Sequence, residues 1–181
     1  MARFRGVCAD SGPREEPVVL APHDPTWSSK FDAEKGVVTD ALGAAALEVH
    51  HIGSTAVPGL AAKPVIDILV AVDSLEDPAF LIEALSRAGY QNVAHDDDIH
   101  RLFFLKGTPR EYHVHVVKLN SWTYWKHLMF RDILVSNPEV RAEYGRLKSE
   151  LAARFRDDRR AYTDAKGQFV ERTVVERARG R

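Results

Sequence analysis

Apolar residues recur along this chain with two different periods, and the change from one period to the other predicts the order of its elements. Helical spacing predicts a first helix over Thr26–Leu42, which ends near Gly43. Two mainly apolar runs follow, at residues 46–52 and 65–72, and such runs are typical of strands in a covered sheet. Asp77-Pro78 then opens a second predicted helix.

The second half of the chain predicts three further strands and then three helices. The strands are expected at residues 90–94, 101–105 and 111–119, and the last two are close enough in sequence to form an antiparallel hairpin. The helices are expected at residues 122–135, 138–155 and 163–179. A short strand is expected at residues 18–20, before the first helix. This order predicts an α+β fold with a mixed sheet, flanking helices and a C-terminal helical part.

The length of 181 residues suits one domain, or a core with a helical appendage. We expect a flexible lead-in at residues 1–16, an α/β core at 17–119 and a helical part at 120–181. The helical stripes of the last part allow it either to form a separate lobe or to pack on the sheet. Two arrangements therefore remain open.

Charge, cysteine count and the length of apolar runs limit the partners and compartments that this chain fits. The 25 basic and 26 acidic residues give a net charge of −1, which offers no whole-protein field for nucleic acid. The single cysteine, Cys8, excludes an internal disulfide and a cysteine-based metal site. No apolar run approaches the length of a membrane span, and the N-terminus lacks the pattern of a secretory signal. We expect a cytoplasmic protein of undetermined oligomeric state.

A small-residue loop, Gly53-Ser54-Thr55, follows the first strand of the core. Small residues let the backbone approach a ligand closely, and a helix beginning there would direct free N–H groups at an anion. The next strand carries one acid, Asp67, within an apolar run. Because an ionised carboxylate in a buried strand is costly without a cation or a partner, this acid indicates a binding site. The loop and the acid together predict a phosphate site at one sheet edge.

His113 and His115 alternate along the last predicted strand, so both point to the same face of the sheet. With Asp67 they could form an Asp/His/His metal site, whose donors suit Zn, Mn or Fe better than Mg. Alternatively, one histidine could act as a general base on an acceptor group. In the structural alternative, one ring faces a solvent-lined cleft and the other bonds the backbone. The residues alone leave these three interpretations open.

Two further basic residues are candidates for binding an anionic substrate. Lys63 precedes Pro64, which favours extended backbone and could aim the ammonium at a phosphate, although a surface lysine at a strand entry has the same pattern. Arg101 begins a strand and could bind substrate, or it could pair with the acids at 96–98.

Arg131 and Lys148 are candidates from the predicted C-terminal helices. Arg131 shares a helical stripe with Tyr124 and His127 that could line the cleft, and its alternative is a structural ion pair. Lys148 follows Tyr144 by one helical turn, as Lys166 follows Tyr162. This spacing is typical of a packed aromatic ring with a lysine tip in solvent, and the alternative is that Lys148 contacts substrate.

The segment His-Ile-Gly-Ser-Thr-Ala-Val-Pro-Gly-Leu-Ala-Ala-Lys-Pro-Val-Ile-Asp-Ile at residues 51–68 closely resembles the signature of the GrpB-like family. Residues 22–27, 113–116, 130–132 and 144–148 resemble further segments of that family in the same order. The resemblance implies a nucleotidyltransferase-like domain, which occurs alone or fused to dephospho-CoA kinase. This chain lacks the Gly-x-x-x-x-Gly-Lys-Ser/Thr loop of such a kinase.

In nucleotidyltransferases a Gly-Ser pair starts the helix that holds the nucleotide phosphates, and an Asp-x-Asp pair binds divalent metal. Here Leu69 stands where the second acid would be. The resemblance therefore implies either nucleotidyl transfer from an NTP to a small acceptor, with one Mg, Mn or Zn ion at Asp67 and a histidine, or a nucleotide-binding or folding module without catalysis. A metal-dependent hydrolase that uses Asp67, His113 and His115 is a third interpretation.

Overall fold

The computed structural model describes residues 17–93 and 100–179. It is a mixed α+β structure, as the pattern predicted, and short 3₁₀ turns occur at Gly43–Ala45 and Ser54–Ala56. The helices are α1 (Thr26–Leu42), α2 (Ala79–Arg87), α3 (Trp122–Ser136), α4 (Pro138–Arg154) and α5 (Arg159–Arg179). The strands are β1 (Glu48–Ile52), β2 (Ile66–Val72), β3 (Gln91–Asn92), β4 (Arg101–Lys106) and β5 (Tyr112–Lys118).

The five strands form one mixed sheet in the order β1-β2-β5-β4-β3. Only the central pair, β2 and β5, is parallel, and β4 and β5 form the expected antiparallel hairpin. In the β2–β5 register Asp67 lies opposite His113, and Leu69 lies opposite His115. Since alternate residues share a face, this register places all four side chains on one face of the sheet.

Helices cover both faces of the sheet. The apolar stripe of α1 and the buried face of α2 pack on one face, against alternate β2 residues such as Ile68 and Val70. On the other face Tyr124 and Leu128 of α3 cover Leu69. Burial of a side chain of this size contributes about 1.5–3 kcal/mol. Helix α3 therefore covers the face of the sheet that carries the two histidines.

The C-terminal helices pack on the loop that joins β1 to β2. Val57 and Leu60 of this loop are buried together with Phe130 of α3, Tyr144 of α4 and Phe169 of α5. This contact places the inner surfaces of α4 and α5 beside the small-residue loop.

The structure differs from the sequence prediction at two places near the termini. Residues 18–20 form no strand; Val18 is instead buried against α4 and α5, and its N–H donates to the carbonyl of Arg156. Because the segment finds its backbone partner at a helix corner, it adds no strand to the sheet. An isolated bridge joins Ala21, just after it, to Ala62 of the β1–β2 loop. Helix α5 also begins earlier than expected, at Arg159.

The predicted lead-in at residues 1–16 and the acidic turn at 96–98 lie outside the described residues. None of the helices in the described part of the chain has the length and apolarity that crossing a bilayer requires.

Candidate functional site

Gly53 lies against Asp67 where β1 gives way to the loop. It adopts a φ of 70°, in the left-handed region that favours glycine, and a Cβ at this position would overlap a carboxylate oxygen of Asp67. The close approach explains why a glycine stands here. It also joins the loop and the acid, as the sequence predicted.

Asp67 is held by the two histidines of β5. His113 Nδ1 lies 2.9 Å from Asp67 Oδ1, and His115 Nε2 lies 3.7 Å from the same oxygen. Burial alone would raise the pKa of Asp67, but the contacts of the two histidines, first of all the hydrogen bond from His113, outweigh burial and hold the pKa well below its usual range. Asp67 is therefore an ionised carboxylate, with 28% of its side chain exposed.

Arg101 fixes the proton position on His115. Its Nη1 lies 3.0 Å from His115 Nδ1, and a guanidinium can only donate, so Nδ1 must accept and the ring proton lies on Nε2. Burial lowers the pKa of His115, which favours this neutral form. His115 consequently directs an N–H, and not a lone pair, toward Asp67.

His113 has the opposite arrangement. Its Nδ1–H donates to the Asp67 carboxylate, so in the neutral ring the lone pair lies on Nε2. That nitrogen is buried, lies on a ring in edge contact with Phe103, and has no hydrogen-bond partner within the described residues. A histidine whose other nitrogen is held by a carboxylate is the usual form of a metal ligand or a general base.

The donor set at this position suits one transition-metal ion better than a pair of Mg²⁺ ions. Asp67, His113 and His115 each offer a ligand atom, and these atoms lie within 4.8 Å of one another. Leu69 is fully buried beneath α3, so the position of a second carboxylate belongs to the core. For His115 Nε2 to join such a site, its proton would have to leave and its contact with Arg101 would have to change.

Hydrogen bonds from the small-residue loop to neighbouring segments hold it in place. The predicted helical start is a single 3₁₀ turn, Ser54–Ala56. The hydroxyl of Thr55 donates to the Val65 carbonyl over 3.3 Å and lies 3.0 Å from His51 Nε2. Because its one proton is used on Val65, Thr55 accepts from His51. Burial raises the pKa of the Tyr144 hydroxyl, and the nearby Ser54 side chain lowers it in part. The loop is thus tied to β1 and β2, and it lies beside α4.

Two lysines, one from the β1–β2 loop and one from α5, face the ring of Tyr162 in α5. The Nζ atoms of Lys63 and Lys166 lie 5.3 Å and 4.2 Å from the centroid of the Tyr162 ring. Burial, followed by the charges of Arg159 and Lys166, lowers the pKa of Lys63 to about 7, and burial lowers the pKa of Lys166 to about 8. Within the described residues neither amine has a hydrogen bond or an ion pair.

Lys148 is buried, and the expectation that its tip reaches solvent is wrong. Only 2% of the residue is exposed, and its Nζ donates to the carbonyl of Ala61 and lies 5.1 Å from the Tyr144 ring centroid. Burial lowers its pKa to about 7. We call Lys63, Lys148, Arg159 and Lys166 the basic cluster. The negative charge of Asp67 raises the pKa of two of its members, Lys63 and Lys166, which shows that the acid acts on the cluster.

Arg131 holds helix α3 to strand β1. Its Nε donates to Asp132 over 2.8 Å, and its Nη1 donates to the carbonyl of His51 over 3.1 Å. These contacts correspond to the structural alternative that the sequence left open. His127, from the same stripe, is half-buried beside His115, and loss of solvent around its ring lowers its pKa to about 3.

Sequence reasoning missed two members of the basic cluster. No sequence pattern marks Arg159 as a binding residue, because its position in the cluster depends on how α5 packs. Lys166 was noticed with Tyr162 and interpreted as helix packing. The sequence does offer one indication: no acid lies three or four residues from Lys166 on its helical stripe, so the stripe provides no carboxylate partner for this amine.

The fold and the site define an α+β protein with a histidine-held carboxylate on a mixed sheet and a basic cluster under its C-terminal helices. The chain belongs to the GrpB family, because the family model described as GrpB protein matches residues 17–176. The crystal structure of conserved protein GrpB from Enterococcus faecalis is similar, with a TM-score of 0.79 and 34% identity over 88% of this chain and 99% of that one.

Curated proteins from several bacteria are also similar to this chain. The UPF0157 protein PA4798 of Pseudomonas aeruginosa is 39% identical over 88% of this chain and 67% of its own length. The glutamate-rich protein GrpB of Alkalihalophilus pseudofirmus is 37% identical over 88% of this chain and 95% of its own length. A dephospho-CoA kinase of Mycolicibacterium paratuberculosis is 32% identical over 83% of this chain, but the match spans only 43% of that enzyme.

Proposed function

We propose that this protein binds a nucleotide or another phosphorylated small molecule, with the phosphates against the basic cluster. The observation that carries the proposal is the pair Lys63 and Lys166, two amines that face one tyrosine ring with no carboxylate partner in the described part of the chain. Packing two cations this way is unfavourable unless an anion joins them or one amine loses its proton.

A phosphate group would relieve this repulsion directly. Each hydrogen bond between a charged donor and a phosphate oxygen contributes about 1.5–3 kcal/mol. Lys63 and Lys166 are partly exposed and would make such bonds, whereas Lys148 is held by the Ala61 carbonyl and would contribute through its charge. The similarity to part of a dephospho-CoA kinase agrees with a phosphorylated ligand and carries less weight than the lysines.

Calorimetric titration tests this proposal. The full chain is titrated with ATP, GTP, CTP, UTP and inorganic pyrophosphate, each with and without Mn²⁺ or Mg²⁺. We expect Lys166→Gln to weaken binding by about tenfold or more, the equivalent of one lost charge-assisted contact. Lys35→Gln, which removes an exposed lysine of α1, is the matched control. Equal affinities for the wild type and both variants would contradict the proposal.

A second candidate is nucleotidyl transfer, and the convergence of Asp67, His113 and His115 favours it. One divalent ion, Mn²⁺ or Zn²⁺ rather than a Mg²⁺ pair, would be held by Asp67 and His113 and would stabilise charge on a phosphoryl oxygen. To share an ion with Asp67, His113 would use Nδ1 in place of its hydrogen bond to the carboxylate. If that bond is kept, Asp67 orients the ring and the Nε2 lone pair would instead accept the proton of an acceptor hydroxyl or amine. Arg101 keeps the N–H of His115 directed toward Asp67.

The Asp67→Asn variant separates this enzyme from a non-catalytic binding module. Transfer requires that metal-dependent nucleotide binding and turnover are both lost in the variant. Nucleotide binding that needs no metal, together with no turnover by the wild type, would favour the module, in which Leu69 marks the loss of the second acid.

A further inference from the structure

The amine of Lys63 differs from the other amines of the basic cluster. Lys148 is almost completely buried, and its Nζ donates to a backbone carbonyl, so a ligand cannot reach it. Lys63 and Lys166 are partly exposed, each faces the Tyr162 ring, and neither amine has a hydrogen bond or an ion pair among the described residues. The choice of a reactive amine is therefore between these two.

The geometry around Tyr162 selects Lys63. A cation over an aromatic face is stabilised more strongly at short range, and Lys166 lies 1.1 Å closer to the ring centroid than Lys63, the difference between 5.3 Å and 4.2 Å. Lys166 therefore keeps its ammonium form more readily. Among the charged neighbours, Lys166 and Arg110 disfavour a proton on Lys63 in particular. Arg159 disfavours and Asp67 favours a proton on both amines, so these two charges do not separate them.

We propose that Lys63 is a nucleophilic amine that forms an imine with a phosphorylated aldehyde, whose phosphate is held by Lys166 and attracted by the charge of the rest of the basic cluster. This inference rests on the proposed anion site and extends it to a class of ligand and a covalent step. The lowered pKa of Lys63, about 7, means that a large share of this amine carries a lone pair near neutral pH.

The step balances without a further reactant. The Lys63 nitrogen lone pair attacks the carbonyl carbon and forms a C–N bond, while the C=O π electrons move to oxygen. Both protons of the amine end on that oxygen, which leaves as water, and a C=N bond remains. Lys166, still an ammonium, lies on the same ring and would both hold the phosphate and stabilise charge that develops on the carbonyl oxygen.

Labelling with pyridoxal 5′-phosphate tests the proposal on the full chain. The imine is followed by absorbance at pH 7.5, trapped by borohydride and located by peptide mass spectrometry. We expect the adduct at Lys63, about tenfold or more faster than with pyridoxal, which has the aldehyde but no phosphate, because one charge-assisted contact is worth that factor. Inorganic pyrophosphate should protect Lys63 and leave exposed lysines such as Lys35 unprotected.

Two variants and one independent measurement separate the possible failures. Lys63→Arg removes the nucleophile, so it should lose the adduct. Calorimetric titration of the wild type with pyrophosphate reports on the anion site independently of the imine. Lys166→Gln should keep the reactive amine and slow phosphate-dependent labelling. Labelling spread evenly over exposed lysines, or an equal rate with pyridoxal, would overturn the inference. If pyrophosphate binds while Lys63 stays unlabelled, this inference alone fails; if neither occurs, the proposed function fails with it.

Discussion

Replacing Lys148 with methionine should make the protein more stable at neutral pH. The lysine is buried, so keeping its amine charged inside the folded protein is costly, and its pKa falls from 10.5 to about 7. Methionine has nearly the same length and volume, so the variant removes the charge without opening a cavity. It also removes the hydrogen bond to the Ala61 carbonyl.

The magnitude follows from the two pKa values. A lysine with a lower pKa in the folded state binds fewer protons there than in the unfolded chain, so the free energy of unfolding rises with pH between about 7 and 10.5. Linkage gives a cost of about 4 kcal/mol at pH 7 and about 1 kcal/mol at pH 10. The lost hydrogen bond offsets about 1–2 kcal/mol of the gain. Lys148→Met should therefore be stabilised by about 2–3 kcal/mol at pH 7 and nearly neutral or destabilised at pH 10.

Urea unfolding of the wild type and Lys148→Met at pH 7, 8.5 and 10, followed by circular dichroism, measures this dependence. The difference in free energy of unfolding should shrink by about 3 kcal/mol across the series. Lys35→Met corrects for the general loss of one positive charge from an exposed site of α1. A stability difference that stays constant with pH would refute the reasoning, because it would mean that burial does not lower the pKa of Lys148.

Three further substitutions, with Gly36→Ala as a control for the first, test the site and the core of the fold. Gly53→Ala should lower the free energy of unfolding by about 2 kcal/mol or more in urea unfolding, since its φ is positive and its Cβ meets a carboxylate, while Gly36→Ala within α1 should raise it by about 1 kcal/mol. Leu69→Asp should lower the melting temperature sharply, because its position is fully buried, and a destabilisation that Mn²⁺ fully reverses would show instead that a two-acid site can form. Tyr90→Phe should cost about 1–2 kcal/mol in thermal unfolding, because it removes the 2.6 Å hydrogen bond to buried Glu34, and an unchanged melting temperature would count against that bond.

The pattern of apolar residues was sufficient for most of the fold. The first helix occurs where helical spacing placed it, at Thr26–Leu42, and each predicted core strand overlaps an observed one. Residues 18–20 were mistaken for a strand, because an apolar triplet looks the same whether its backbone pairs with a sheet or with a helix corner. The α+β class is confirmed by the structure and by the similarity to the crystal structure of a GrpB protein.

For the site, period-two alternation predicted that His113 and His115 share a face, and the parallel register brings them to Asp67. Whether they bind metal or a nucleotide is still a prediction. The proton position on His115 could not have been predicted, since it depends on Arg101 from the neighbouring strand.

The sequence by itself determined the elements, their order along the chain and the side chains that share a face, because these follow from local periodicity; the order of the strands in the sheet depends on tertiary pairing. Only the tertiary structure decided which lysine amines are shielded from solvent. Lys63, Lys148 and Lys166 are far apart in sequence and resemble ordinary surface lysines there. The docking of α4 and α5 on the β1–β2 loop brings them together beside Tyr144 and Tyr162, and the protonation of an amine depends on what packs around it.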